Sequence, residues 1–461
     1  MANIIVTAHY TLGDVLPFLK LCKRLKERGH CVTLVTHGAY MERAREAGIG
    51  FEALDSPGDY DRLLKDIGTM GDPVNDPGGY AGFHDRYCGG ERLLYEYGLI
   101  ARHCMPEDTV IVARHGSGAA AYLASEKLGR PVVPVFLAPS YIHHLAAQDE
   151  LTGEYQVKAL NPVRSALGLP PAASWYRWMC SVGDCIGFWP DWFSGRDSYA
   201  PFSVTAAGFA FEESGEKGAG PGEAEAFIAG GEAPILITGG TSMLLRANFY
   251  KVAAEACRLL GHRALLVCRH KELVPEELPE FIRWYEFLPL EGIFHRMKLV
   301  VHHGGIGTIG GAAFHSVPQL ALAADTDRPD NAMRLREAGI GAYLPPIQWE
   351  PDLIAERLKA LMSPEVKHRC AAVSAGMKAA APFDTACGVI ERAVGNSRLT
   401  AAAGEERQAG RLAAPDRLME AAGNYGAGNG PAAESLNGLS REKKAFLLYM
   451  LKKKSEGGLN R

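Results

Sequence analysis

The feature that most restricts the fold is a strand–helix–strand unit that recurs along the chain with the same punctuation. The apolar run Ile4–Ala8 reads as a strand. Val15, Phe18, Leu19, Cys22 and Leu25 then fall at helical spacing, and the helix closes at "ERGH", where Gly29 suits a left-handed cap. A second strand, "CVTLVT" (Cys31–Thr36), follows at once. Parallel strands need such crossovers, so the unit predicts a parallel sheet. It returns at "DTVIVAR", "GAAAYLASEKLG" and "PVVPVFL". It returns again, past a polar glycine-rich stretch, as the strands "PILIT", "ALLVC", "LVVHH" and "PQLALAA", with a helix from about Ala247 to Leu260.

The fold class is therefore α/β. Two Rossmann-like halves, 1–211 and 226–396, are joined by a linker at 212–225 and face each other across a cleft. Open sheets of this kind bind ligands at the carboxyl ends of their strands, so the cleft is the expected site. From 397 to 438 alanine and glycine dominate, which predicts a flexible segment. At 439–454 a short amphipathic helix is predicted, capped by Ser440 and carrying Phe446, Leu447, Met450 and Leu451. Such a helix either packs on its own domain or docks on a partner.

Composition narrows the class further. The 461 residues are too many for one ordinary domain, and 47% apolar with 22% charged residues is a globular balance. A net charge of -4 offers nucleic acid no basic field. No run of roughly 18 apolar residues predicts a membrane span. The N-terminus "MANIIVTAHY" opens directly on a strand rather than on a leader peptide. Ten cysteines without a CxxC pair suggest reduced thiols and a cytoplasmic protein. Cys180 and Cys185 lie close in sequence, but no histidine cluster accompanies them, so no zinc site is expected.

The chemistry concentrates in "VHHGGIGTIGGAAFHSVPQ", Val301 to Gln319. One reading is a tight strand-to-helix turn, with glycines supplying unusual backbone angles and His302 satisfied inside it. The other is an anion cradle. Gly304, Gly305 and Gly307 bare the backbone, and Thr308 lies where a helix opens whose N-terminal amides favour a phosphate.

The passage "HSVPQLALAADTDRPDNAMRLREAGIGAYL" favours the cradle and leaves a turn-bound His302 as the alternative, because the whole set resembles the C-terminal signature of family 1 glycosyltransferases of the GT-B fold. The matching residues are His302 to Thr308, Val317 to Gln319, Asp327 to Ala332 and Gly339 to Gly341. "ITGGTS" looks like that family's diphosphate loop, through Gly240, Thr241 and Ser242. "EFLPLEGIF" looks like its base-stacking loop, placing Phe287 and Leu288 at the nucleobase, with a plain core residue the lesser alternative for Phe287. "LGDVLPFLKLCKRLKERGHCVTLVT" is similar to its N-terminal pattern. The resemblance covers about residues 1 to 395. "NPVRSALGLPP" and "IGFWPDWFS" further resemble the branch of rhamnolipid rhamnosyltransferases and natural-product glycosyltransferases.

The resemblance implies an inverting transferase that needs no metal and no cofactor. It would move a sugar from a dTDP- or UDP-donor to a hydroxyl of a lipid, lipopeptide or other natural product. It places His302 on the diphosphate, and Asp327, Arg328 and Asn331 at the sugar. Arg328 departs from the usual glutamine and puts the sugar's identity in doubt. "DTD" (Asp325–Asp327) mimics a metal motif, but the surrounding pattern accounts for Asp327 without metal. The position of the family's ribose-binding glutamate falls at Gly310, compatible with a donor lacking the 2'-hydroxyl. The proton acceptor is Asp14, at the family's position in the first helix, or His9, at the end of the first strand. Asp14 is also a natural helix cap. His84, Ser140, Tyr141 and the aromatics from Trp175 to Phe193 are candidates to face the acceptor, with core packing the alternative for the aromatics. The tail "LSREKKAFLLYMLKKK" is similar to segments preceding condensation domains of nonribosomal peptide synthetases, which implies docking to a biosynthetic partner. Two rival functions share this fold: a nucleotide-sugar 2-epimerase, and a degenerate transferase serving as a binding or scaffold subunit.

Overall fold

A computed structural model of the chain describes residues 1–68, 76–104, 108–194, 200–212, 222–240 and 245–402, with side chains to 395. The predicted helix 439–454, Thr241, Ser242 and residues 403–438 lie outside them.

Thirteen strands are described, in two sheets. The first holds β1 (Asn3–Thr7), β2 (Cys31–Thr36), β3 (Gly50–Ala53), β4 (Thr109–Arg114), β5 (Val132–Phe136), β6 (Cys185–Gly187) and β7 (Val204–Ala206). Their spatial order is β3-β2-β1-β4-β5-β6-β7. The second holds β8 (Ile235–Thr238), β9 (Ala264–Val267), β10 (Ile282–Tyr285), β11 (Leu299–His302), β12 (Gln319–Leu322) and β13 (Gly341–Leu344), in the order β10-β9-β8-β11-β12-β13. Every neighbouring pair is parallel.

Helices on both faces explain why the central strands read as unbroken apolar runs rather than alternating ones. Ile4, Val6, Val110 and Val112 enter one core, while Ile5, Ile111 and Ala113 enter the core on the opposite face. In the second sheet Ile235, Ile237, Leu299 and Val301 face one way, and Leu236 and Val300 the other. Gly29 takes φ +87 after the helix Leu12–Glu27, as its position implies. β3, β6, β7, β10 and β13 have three or four residues each, too few to show a period in the sequence.

Two boundaries read from composition differ. A helix, Gly222–Ala229, starts inside the stretch taken as linker. Another, Pro382–Ala402, runs six residues into the stretch taken as flexible, because "NSRLTAA" contains good helix formers. That last helix also leaves the second half and packs on the first. Phe383, Ala386, Cys387 and Ile390 are fully buried there in a core with Leu21, Cys22 and Leu25. Arg28 grips Glu391 with two bonds, Nε to Oε1 at 2.9 Å and Nη2 to Oε2 at 2.7 Å. The sequence marks such a helix but not the sheet it covers.

The halves also meet directly. Lys20 pairs with Glu291 at 2.7 Å, Arg334 donates to the Phe193 carbonyl at 3.0 Å, and Phe211 packs on Phe314. No helix among the described residues is long and apolar enough to cross a membrane. All ten cysteines are free thiols.

Because Phe383 is wholly enclosed, Phe383→Ala is expected to cost about 3–5 kcal/mol. Urea unfolding followed by circular dichroism checks this, and a loss below about 1 kcal/mol contradicts the docking of this helix.

Candidate active site

Each sheet reverses its winding once, between β1 and β4 in the first and between β8 and β11 in the second. A reversal opens a crevice at the carboxyl ends of the strands. The residues at those ends are His9 and Tyr10 after β1, Arg114 closing β4, Gly239 and Gly240 after β8, and His302 closing β11. Topology alone thus brings the two halves' chemistry to one place.

On the first side the chain turns through an uncommon conformation. Tyr10 has φ +84, a strained angle for a side-chain-bearing residue. Three bonds hold it. Its amide donates to His37 Nε2 at 3.0 Å, and its carbonyl accepts from the hydroxyls of Tyr40 and Tyr60, each at 3.1 Å. Since His37 Nε2 accepts, Nδ1 carries the proton and donates to Asp55 Oδ2 at 2.6 Å. Burial lowers the pKa of His37, with Asp55 opposing, so the ring stays neutral.

The turn presents His9, which is 6% exposed. Its Nε2 meets Glu96 Oε1 at 2.6 Å, and its Nδ1 is buried without a partner. Asp14 is bound differently. Thr11, not Asp14, caps the helix, and Asp14 sits three residues in. Asp14 Oδ2 accepts from the Thr11 amide at 3.1 Å and its hydroxyl at 2.7 Å, while Oδ1 accepts from Arg114 Nη2 at 2.7 Å. Both carboxylate oxygens are engaged. Glu96, Arg114 and His37 escape the sequence reading. Arg114 and His37 had a signal, since each stands at the carboxyl end of a strand; Glu96 lies mid-helix and had none.

On the second side, Gly304 has φ +89, and a Cβ there would meet the Arg328 carbonyl oxygen at 2.8 Å. Gly240 has φ +75 and lies against the His303 ring. These two positions require glycine on both counts. Gly305 then caps the helix Ile306–Phe314, with Gly307 exposed and Thr308 half-buried in its first turn. His302 is not where the resemblance puts it. It has no exposed surface, and its Nδ1 accepts from the Gly304 amide at 3.0 Å, so it shapes the turn. Burial lowers its pKa to about 4, with Gln319 opposing. The half-buried His303, between the two glycine loops, has the outward place.

Asn331, fully buried, ties the loop to Asp327, a residue expected at the sugar. Its Nδ2 donates to the Gly304 carbonyl at 3.2 Å and to Asp327 Oδ2 at 2.7 Å. Asp327 Oδ1 accepts from the Tyr141 hydroxyl at 3.4 Å. Burial raises the Asp327 pKa and lowers that of Arg328, which is 7% exposed. The Arg114 guanidinium lies 5.5 Å from the Tyr10 ring and 5.8 Å from the Tyr141 ring. One chain of contacts therefore runs from Asp14 through Arg114, Tyr141, Asp327 and Asn331 to the glycine loop.

Other expected residues fall outside it. Leu288 is 1% exposed in a core with Ile293 and Phe294, so it cannot touch a base, whereas Phe287 is 61% exposed. Ser140, 1% exposed, cannot line an open cleft. His84 binds Gln156 at 2.8 Å beside Tyr80 and Tyr155, and makes none of the bonds of the chain just described. Trp178, Phe188, Trp189 and Phe193 are core, and Trp192 stays exposed. Gly310 has a packing reason: a Cβ there would meet the Phe209 side chain at 3.0 Å. Its presence therefore says nothing of the ribose.

Residues 4–72 match the glycosyltransferase family 28 N-terminal domain, and residues 264–393 match the erythromycin biosynthesis protein CIII-like C-terminal domain. The chain is 24% identical over 404 residues to glycosyltransferase GtfC of Amycolatopsis orientalis, covering 81% of this chain and 93% of that one. It is 30% identical over 281 residues to the vancomycin aglycone glucosyltransferase of the same organism, covering 54% and 66%. The crystal structure of the glycosyltransferase of kitacinnamycin superposes with a TM-score of 0.66 at 18% identity, covering 85% and 99%.

The neutral buried histidines make stability depend on pH. Burial holds His302 at about 4 and His115, stacked on Phe136, at about 3, against an ordinary 6.5. A lowered folded pKa stabilises the fold fully above pH 6.5, and that stability is lost as pH falls toward the folded values. Urea midpoints should drop from pH 7.5 to pH 5, and equal midpoints would contradict the neutral assignments.

Proposed function

On the premise that this chain is a family 1 glycosyltransferase of the GT-B fold, we propose that it is an inverting, metal-independent enzyme that moves a sugar from a dTDP- or UDP-sugar to a hydroxyl of a lipid, lipopeptide or other natural product. The observation that carries this reading is the convergence of two unlike halves at one crevice. A histidine–carboxylate pair stands on one side, and a bare glycine loop opening a helix stands on the other. The relatives' names support natural-product transfer, and nothing in the comparisons favours an epimerase or a scaffold subunit.

His9 is the base in this reading, and Asp14 anchors Arg114. A carboxylate whose two oxygens already accept three bonds is poorly placed to take a proton. His9 has one nitrogen fixed by Glu96 and the other unpaired, the arrangement of a general base with its orienting carboxylate. The acceptor oxygen attacks the anomeric carbon as His9 takes its proton, and Glu96 balances the imidazolium charge. The bond between that carbon and the diphosphate oxygen breaks, and its electron pair leaves with the diphosphate. Amides from Gly305 to Thr308, where the helix opens, hold the departing charge, which needs no metal to be partly neutralised, while the Gly304 and Gly240 amides are already given to His302 Nδ1 and Thr238 Oγ1. Phe287 stacks on the base. Asp327 holds the sugar, positioned by the buried Asn331.

Thermal unfolding with dTDP, UDP and their sugars is the first test. A ligand at about 100 times its dissociation constant stabilises by about 2.7 kcal/mol, and no shift with any nucleotide refutes the donor site. In transfer assays His9→Ala should lower kcat by about a hundredfold or more. Asp14→Asn should lower it less; the reverse ranking returns the base to Asp14.

A further inference from the structure

The hydroxyl of Tyr141 and the carboxylate of Asp327 face each other from the two halves, 3.4 Å apart. Tyr141 is the second residue of the helix Ser140–Ala166, which follows β5 in the first half. Asp327 caps the helix Arg328–Glu337 beyond β12 in the second. Both are held. The Tyr141 ring lies 5.8 Å from Arg114, itself paired with Asp14. Asp327 Oδ2 is bonded to Asn331 at 2.7 Å, and Oδ1 also accepts from the Thr326 hydroxyl at 3.1 Å.

A bond of 3.4 Å is long for two oxygens, which ordinarily approach to about 2.7–2.8 Å. The pair is a fixed donor facing a fixed acceptor across a cleft, with only a weak bond between them. A sugar hydroxyl both donates and accepts. With a small opening of the cleft it can enter between them, donating to Asp327 Oδ1 and accepting from Tyr141. We propose that Tyr141 and Asp327 hold one hydroxyl of the donor sugar from opposite halves, so that Tyr141 determines donor specificity from the acceptor-side domain. Tyr141 thereby moves from the acceptor wall, for which the sequence makes it a candidate, to the sugar. Its oxygen would read the sugar and not the nucleotide, because its link to the glycine loop passes through Asp327 and Asn331. The proposal rests on the nucleotide-sugar reading above.

The test compares the full chain with its Tyr141→Phe variant, which removes one oxygen and keeps the ring over Arg114. Calorimetry is run with dTDP, UDP, dTDP-glucose and UDP-glucose. For the sugar nucleotide that the wild type binds, the variant should lose about tenfold in affinity, with free nucleotide bound as before. Combined with Asp327→Asn, it should lose less than the product of the two single losses. Unchanged sugar-nucleotide affinity overturns the proposal. An equal loss for nucleotide and sugar nucleotide also overturns it, since that marks a purely structural role. A wild type that binds the free nucleotide as tightly as its sugar overturns it too. A wild type that binds no nucleotide is a separate result: it removes the donor reading, and this proposal with it.

Discussion

The ion pair between Asp14 and Arg114 is the contact on which the site's geometry depends. It closes the crevice where the first sheet reverses, joining the helix after β1 to the last residue of β4. The side chains are 19% and 11% exposed, dry enough for the attraction to matter and wet enough to spare much of the desolvation penalty. Asp14 also holds the start of its own helix through Thr11. Arg114 in turn lies against the rings of Tyr10 and Tyr141. The ring of the strained turn that carries His9, and the ring whose hydroxyl meets the other half, both flank this one guanidinium.

The second half answers with backbone rather than charge. Gly304 and Gly240 allow the Arg328 carbonyl and the His303 ring to come within van der Waals distance of the main chain. His302 serves this arrangement from inside, as a neutral acceptor for the Gly304 amide. An imidazolium there would have no lone pair for that amide, so burial and hydrogen bonding agree on the neutral form. A helix opening beside such a loop presents unpaired amides to whatever enters.

Several site residues are legible in the sequence because their signals are local. A run of glycines between an apolar strand and a helix marks a close approach of backbone, and His302 to Thr308 occupy that turn. Asp327 and Asn331 are legible as members of a spaced set. Others are legible as types but not as roles. Leu288 beside Phe287 gives no clue which of them faces out, since two neighbouring apolar residues in a loop have no period. Gly310 reads as informative about a ligand and proves to accommodate Phe209, more than 100 residues away in sequence. Glu96 carries no local mark at all, because a carboxylate on an amphipathic helix is ordinary until its partner is known.

By itself the sequence determined the fold class, the central strands and their parallel direction, the two-part division, and the glycine turn that follows the fourth strand of the second sheet. These follow from periodicity and backbone sterics, which act over a few residues. Only the tertiary structure decided that the helix Pro382–Ala402 returns to the first half, that Asp14 is bound to Arg114 while His9 is bound to Glu96, and that Tyr141 faces Asp327. Each of these joins residues 87 to more than 350 apart in the chain, and a contact of that span depends on how two sheets pack, which no short pattern encodes.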